Sequence, residues 1–248
     1  MRGTKLLLAP IMLGIAVQAT FAKKHEDSPA QITARIEDKL YHAQVFKHGE
    51  VQVSVENGVA TLTGTVDCVG VKMDAEQATR KVDDVTGVID NITVHAEDVT
   101  PRQIGEQARK EIVTYPWFTI FDWITLEVVQ GDRLIVNGQV TQPVKKHDIG
   151  NFLAHVKGVA ALDNNLEVLP LSEFDENLRQ SIARAIYNDP YFLHYHQALP
   201  PIHIIVKNGD VTLEGVVASQ MDRSKAEMDA RMAATYFNFT DNLQIESK

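Results

Sequence analysis

The residues able to move protons or hold a metal are numerous but do not converge. The chain has 9 histidines and 33 carboxylates. The densest donor pair is His194 and His196, in an insertion just before Pro200-Pro201. Two donors at i, i+2 fall short of a zinc site, which gathers three or four. His203, the next candidate, alternates with Ile202 and Ile204 in a strand-like run. Adjacent acids such as Glu37-Asp38 and Asp83-Asp84 diverge on a helix, so they read as solvated surface. There is no Gly-x-Ser-x-Gly, no phosphate-binding loop, no His-Glu-x-x-His and no Cys/His nucleophile pattern. The one cysteine, Cys68, cannot form an internal disulfide and reads as a buried, inert thiol; an intermolecular bridge is the alternative in an oxidising compartment. These residues predict no enzyme, no cofactor and no metal.

The stretch from Tyr115 to Trp123 offers chemistry of another kind. It holds both tryptophans of the chain, with Phe118 and Phe121 between them. Tryptophan and tyrosine suit a bilayer interface because each joins a large apolar body to a polar tip. One reading is a wedge in lipid headgroups, with Trp117, Phe121 and Trp123 inserted and Arg133, Lys145 and Lys146 as local positive charge. The other is core packing. When the chain is aligned on itself, Val45, Trp117 and Tyr191 fall at equivalent places, as do Phe46, Phe118 and Phe192, and a recurring Phe reads as a core plug. Phe121 and Trp123 have no counterparts.

That alignment reflects a threefold internal repeat, which decides the architecture. Helices are predicted from apolar residues four apart: Ile32/Ile36/Leu40, Ile104/Ala108/Ile112 and Leu178/Ile182/Ile186. Val51/Val53/Val55 then alternate with polar residues as a half-buried strand. Asn57-Gly58 turns the chain into a return strand ending at Val66, since both turn residues tolerate positive φ. A second helix follows from about Val69 to Val82, with Met73, Ala75, Ala78 and Val82 inward, and Val88 to Val94 closes the sheet. The third repeat has the same order around Asn208-Gly209, closing with Phe239/Asp241/Leu243/Ile245. The second has one extra residue before Gly138, which predicts a longer or bulged hairpin. Gly64, Gly138 and Gly215 fall at matching places on the return strands and are assigned, with Gly58 and Gly209, to structure. The helix that follows is the expected close neighbour of the three strand glycines.

Each unit is thus αββαβ, an α+β sandwich of two helices on a small mixed three-stranded sheet. The expected divisions are a signal peptide at 1–22, then units at 28–98, 99–170 and 171–248. Arg2 and Lys5 precede the apolar run Leu6 to Val17, and Thr20-Phe21-Ala22 offers a cleavage site. A membrane anchor would need roughly 20 apolar residues. The three units carry net charges of −6, −1 and −4. An acidic surface argues against nucleic acid, which attracts Lys and Arg clusters. The middle unit is the one best able to approach an anionic surface.

The hairpin Val55-Glu56-Asn57-Gly58-Val59-Ala60-Thr61-Leu62-Thr63-Gly64, its counterpart Asn208-Gly209-Asp210-Val211-Thr212-Leu213-Glu214-Gly215, and the closing run Gly158-Val159-Ala160-Ala161-Leu162-Asp163-Asn164-Asn165-Leu166 together resemble the BON (bacterial OsmY and nodulation) domain family. The second hairpin departs from the pattern at Arg133 to Asn137, and the first and third closing runs replace Gly-Val with Asp84-Val85 and Thr235-Tyr236. The resemblance implies binding without catalysis: phospholipid-interacting modules of the bacterial envelope, tied to envelope maintenance and osmotic stress. The expectation is therefore a periplasmic protein, exported by the signal peptide, whose partner is a phospholipid membrane surface. The alternative is a protein–protein interaction or holding-chaperone module facing envelope proteins. The sequence is silent on oligomeric state.

Overall fold

The structure, a computed structural model, describes residues 27–197 and 199–246. The expected signal peptide lies outside the described residues.

Three helix-and-sheet units follow one another. In unit 1, α1 (Pro29–His42) leads to β1 (Gly49–Glu56), β2 (Val59–Val66), α2 (Val69–Arg80) and β3 (Gly87–Val94). Unit 2 repeats this with α3 (Pro101–Thr114), β4 (Trp123–Val129), β5 (Arg133–Val140), α4 (Pro143–Ala154) and β6 (Ala161–Val168). Unit 3 has α5 (Glu173–Tyr187), β7 (Ile202–Lys207), β8 (Asp210–Val217), α6 (Gln220–Ala233), β9 (Phe239–Asp241) and β10 (Gln244–Ile245). Each sheet is mixed. The hairpin strands pair antiparallel, and the closing strand returns over the second helix to pair parallel with the middle strand. The third closing strand is broken, with Leu243 turned into the core between two short pieces.

Local chemistry sets the helix starts. Ser28 and Thr100 cap α1 and α3 in reciprocal capping boxes with Gln31 and Gln103, and Pro29 and Pro101 occupy the first helical position. The predicted stripes Ile32/Ile36/Leu40, Ile104/Ala108/Ile112 and Leu178/Ile182/Ile186 are all buried, each in its own unit's core. In α2, however, Met73 points outward, and Val71, Ala75 and Thr79 form the inner stripe. Thr79 is tolerated there because its hydroxyl donates to the Ala75 carbonyl at 2.8 Å.

Asn57 and Gly58 both take positive φ (50° and 79°), as a two-residue hairpin turn requires. The extra residue of unit 2 enters the turn itself, Gln130-Gly131-Asp132, and the β4–β5 register runs unbroken, so there is no bulge. The strand glycines have a different neighbour from the one expected. Gly64 has φ 129°, and a Cβ there would run into the Glu50 carbonyl oxygen of the adjacent strand; Gly138 and Gly215 meet Trp123 and Pro201 in the same way. The partner strand's backbone, not the following helix, excludes a side chain.

Candidate functional site

The stretch after α3 is pinned at both ends. Tyr115 is buried, and its hydroxyl donates to Asp148 at 2.7 Å. Seven residues on, the Asp122 carboxylate is fully buried and accepts five hydrogen bonds. One oxygen takes the Thr119 N–H and hydroxyl (both 2.9 Å) and the Lys145 ammonium at 2.6 Å. The other takes the Thr141 N–H at 2.9 Å and its hydroxyl at 3.1 Å. Lys145 also donates to the Thr141 hydroxyl at 2.7 Å. A buried carboxylate and ammonium persist when paired and hydrogen-bonded to this degree.

The same stretch joins unit 2 to unit 3. The Ile204 N–H of edge strand β7 donates to the Ile120 carbonyl at 2.7 Å. His203 Nδ1 lies 2.6 Å from the Asp122 backbone oxygen, which can only accept, so Nδ1 carries the proton. The His203 ring rests against Trp123 and Phe118 at centroid distances of 5.2 and 5.7 Å. Burial pushes its pKa below the ordinary value, against the opposing pull of Asp122. Ile120 and Phe121 pack onto the unit 3 core. β7 is buried on both faces from Ile202 to Val206, whereas β1 alternates.

Units 1 and 2 meet differently. α2 and α4 lie side by side and antiparallel, with Gly70 against the His155 ring and Arg80, at the other end of α2, sharing a cleft with His147. A Cβ on Gly70 would come within 2.6 Å of the imidazole. His155 Nε2 lies 2.9 Å from Asp74, and its Nδ1 lies 2.8 Å from the Asn151 carbonyl. Two backbone bonds cross the joint: Val69 N–H to the Val159 carbonyl and Gly158 N–H to the Asp67 carbonyl, both 2.8 Å.

The BON domain family model matches residues 28–96, 102–170 and 174–235. The chain belongs to the BON-domain family. The third match stops short of the broken closing strand of BON unit 3. Among solved structures, CdsD, a structural protein of the type III secretion system of Chlamydia trachomatis, is 13% identical, with 87% of this chain and 92% of that one covered at a TM-score of 0.26. The periplasmic domain of the type III secretion inner-membrane protein PrgH from S. typhimurium is 12% identical, with coverages of 84% and 98% and a TM-score of 0.23. Overlays this loose carry no argument about what the BON units do. A search of curated proteins finds no match.

The BON units distribute the predicted residues unevenly. Trp117 stands 67% exposed, which removes it from the core reading. The recurring phenylalanine is a core plug only in unit 3: Phe192 is fully buried, Phe118 is half-buried and Phe46 is exposed. Phe121 and Trp123 are half-buried against unit 3 rather than open to a membrane. Lys145 is 4% exposed and bound to Asp122, so it is withdrawn from the basic contact set. Arg133 is on the surface, with its guanidinium 2.9 Å from both oxygens of Asp163. Lys146 matches Lys72 and Arg223, whose neighbours Asp90 and Asp241 lie at 3.7 and 2.8 Å. At the matching place unit 2 has Asn164, which donates to the Lys146 carbonyl and supplies no charge.

Cys68 is buried at the start of α2, and burial pushes its thiol up to about 11. His194 packs on Tyr195 at 4.1 Å, and His196 Nε2 lies 2.7 Å from the Tyr187 carbonyl, so each serves the local turn. Among the described residues no group of three His, Cys, Asp or Glu side chains could hold a metal, and no helix is long and apolar enough to cross a membrane. Sequence reasoning missed Asp122, Asp74 and His155, and weighed His203 as a metal donor rather than as a joint residue. The available signal was the run Ile202 to Val206, which lacks the polar alternation of a one-sided strand apart from His203.

Proposed function

We propose that this BON protein is an exported, non-catalytic binding protein of the bacterial envelope that contacts a phospholipid surface through its middle unit. One observation carries the reading. Trp117 is an exposed indole on a stretch fixed by Tyr115 on one side and the Asp122 cluster on the other. A held aromatic inserts with little loss of conformational freedom, and indole is favoured at the headgroup level. Unit 2 carries the smallest net charge, −1, and Lys146 lacks the acidic neighbour found in units 1 and 3. Signal-peptide export, a periplasmic location and a role in envelope maintenance under osmotic stress belong to the same proposal.

A second reading, docking of envelope proteins or holding of unfolded chains, draws on apolar side chains that stand exposed elsewhere, Leu171 and Phe237 among them. Vesicle co-sedimentation separates the two. The lipid reading expects the mature chain to pellet with phosphatidylglycerol-containing vesicles at low salt. Trp117→Ala and Lys146→Ala together should abolish this, and Arg133→Ala should not. No pelleting at low salt, with suppression of client aggregation, would favour the second.

A further inference from the structure

The helices α2, α4 and α6 are equivalent, and they bury matching positions: Val71/Ala75/Thr79, Lys145/Ile149/Leu153 and Asp222/Ala226/Ala230. Beside the buried stripe each carries a second one. It reads Gly70/Asp74/Gln77 on α2, Asn151/His155 on α4, and Met221/Lys225/Met228/Met232 on α6. On α2 and α4 these second stripes face each other antiparallel, with Gly70 and Asp74 against His155. The chain therefore already contains one pairing in which matching stripes of two equivalent helices meet antiparallel, the arrangement that two copies of one helix would take in an isologous interface.

On α6 that face is open. Met221, Met228 and Met232 are 69%, 47% and 80% exposed. Their spacing puts them on one side of the helix, and methionine adapts its shape to an apolar partner. The charge between them is already neutralised: Lys225 is paired with Asp189 and with Asp229, so covering the face would bury no lone ammonium. Arg231 and Glu227 pair at 2.8 Å beside it. The helix holds three acidic and three basic side chains, so two copies can approach without net repulsion. An anionic bilayer is a poorer match, because unit 3 as a whole carries −4.

We infer that α6 is a self-association face, on which a second copy of the chain pairs through its own α6, antiparallel, in the manner of α2 against α4. The contact between Gly70 and His155 then becomes Met221 against Met232 of the second copy, with Met228 against Lys225 of the second copy beside the two-fold axis. This inference is independent of the lipid reading.

Sedimentation velocity over a concentration series of the mature chain tests it. A concentration-dependent dimer is expected, weakened roughly tenfold or more by Met232→Glu, which sets a carboxylate against Met221 of the second copy, and unaffected by Trp117→Ala. Oxidative crosslinking fixes the geometry. Cysteines replacing Met221 and Met232 together lie about 16 Å apart along one helix and cannot close on each other. The double variant should form a covalent dimer, and either single variant should not, because its two copies sit at opposite ends of the pair. Several results would overturn the inference: a monomer at every concentration, a dimer indifferent to Met232→Glu, or single variants that crosslink as well as the double. So would a monomeric chain whose vesicle binding is lost in Met232→Glu, which would give the face to lipid.

Discussion

The Lys145 ammonium lies 2.6 Å from the Asp122 carboxylate, and neither side chain is more than 5% exposed. Lys145 occupies a helix position that is Val71 in unit 1 and Asp222 in unit 3. Asp222 is satisfied in its own way, by the Tyr191 and Tyr195 hydroxyls, each at 2.7 Å. One core position has thus kept its burial and changed its chemistry. In unit 2 that change anchors the stretch which carries Trp117 and seats unit 3.

Breaking the pair from one side should be more damaging than removing both partners. Lys145→Met leaves a buried carboxylate, and Asp122→Asn leaves a buried ammonium. Each is expected to cost about 3–5 kcal/mol. The double variant should cost clearly less than the sum of the two. Chemical denaturation of the four proteins forms a double-mutant cycle, and simple additivity would show that the pair is not coupled.

His203 should make the joint between units 2 and 3 sensitive to acid. Its folded pKa lies below the ordinary 6.5 because burial disfavours the imidazolium. Between those two values the unfolded chain binds a proton that the folded chain does not. Stability therefore rises with pH through that window and falls on acidification. The denaturation midpoint should drop between about pH 7 and about pH 5, and His203→Leu should flatten that part of the slope. A slope unchanged in the variant would place the acid sensitivity elsewhere.

The joint between units 1 and 2 should respond in the opposite sense. Burial lowers the His155 pKa, but the Asn151 carbonyl and the Asp74 and Asp67 carboxylates outweigh it, and the net shift is upward from 6.5. A raised folded pKa gives a stabilisation that is complete below 6.5 and is lost as pH climbs through the folded value. Asp74→Asn should lower the His155 midpoint in an NMR titration of the ring. Acidification should then tighten the first joint while it loosens the second.

Within each unit, the sequence pattern anticipates the fold closely, because the forces are local and periodic. The stripe Ile32/Ile36/Leu40 and the turn Asn57-Gly58 follow from helix pitch and positive φ, and both stand where spacing puts them. Contacts between units leave a weaker trace, since one side chain that faces a neighbour breaks a pattern without announcing the neighbour. His203 reads as the polar tick of an alternating strand, yet it fills a joint. Lys145 reads as a surface cation because its counterion, Asp122, is 23 residues away in an irregular stretch. The two aromatics without repeat counterparts, Phe121 and Trp123, were the visible sign that this stretch serves something outside its own unit.

The strand glycines should be far less replaceable than the turn glycine of unit 2. Gly64→Ala meets both an unfavourable φ of 129° and the Glu50 carbonyl oxygen. A cost of about 2–3 kcal/mol or more is expected, as for other strained backbone sites. Gly131 has φ 80° and open space around it, so Gly131→Asn should cost under about 1 kcal/mol. Thermal melts of the two variants give the comparison, and equal losses would contradict the close approach of β1 to β2.

Trp117 and Phe121 are four residues apart in one stretch and should separate binding from stability. Phe121 is half-buried on the unit 3 core, so Phe121→Ala should cost about 1–3 kcal/mol and loosen unit 3, as partial loss of a buried aromatic does. Trp117 is exposed and should be nearly neutral in a melt, within about 0.5 kcal/mol. On vesicles the order should reverse: Trp117→Ala loses binding, and Phe121→Ala retains it at temperatures where the chain is folded. Indole fluorescence offers a direct reading, since insertion of Trp117 shifts emission to the blue while Trp123, packed on His203, stays unmoved. If Phe121→Ala alone abolished vesicle binding in a fully folded chain, the joint itself would have to open to meet the membrane.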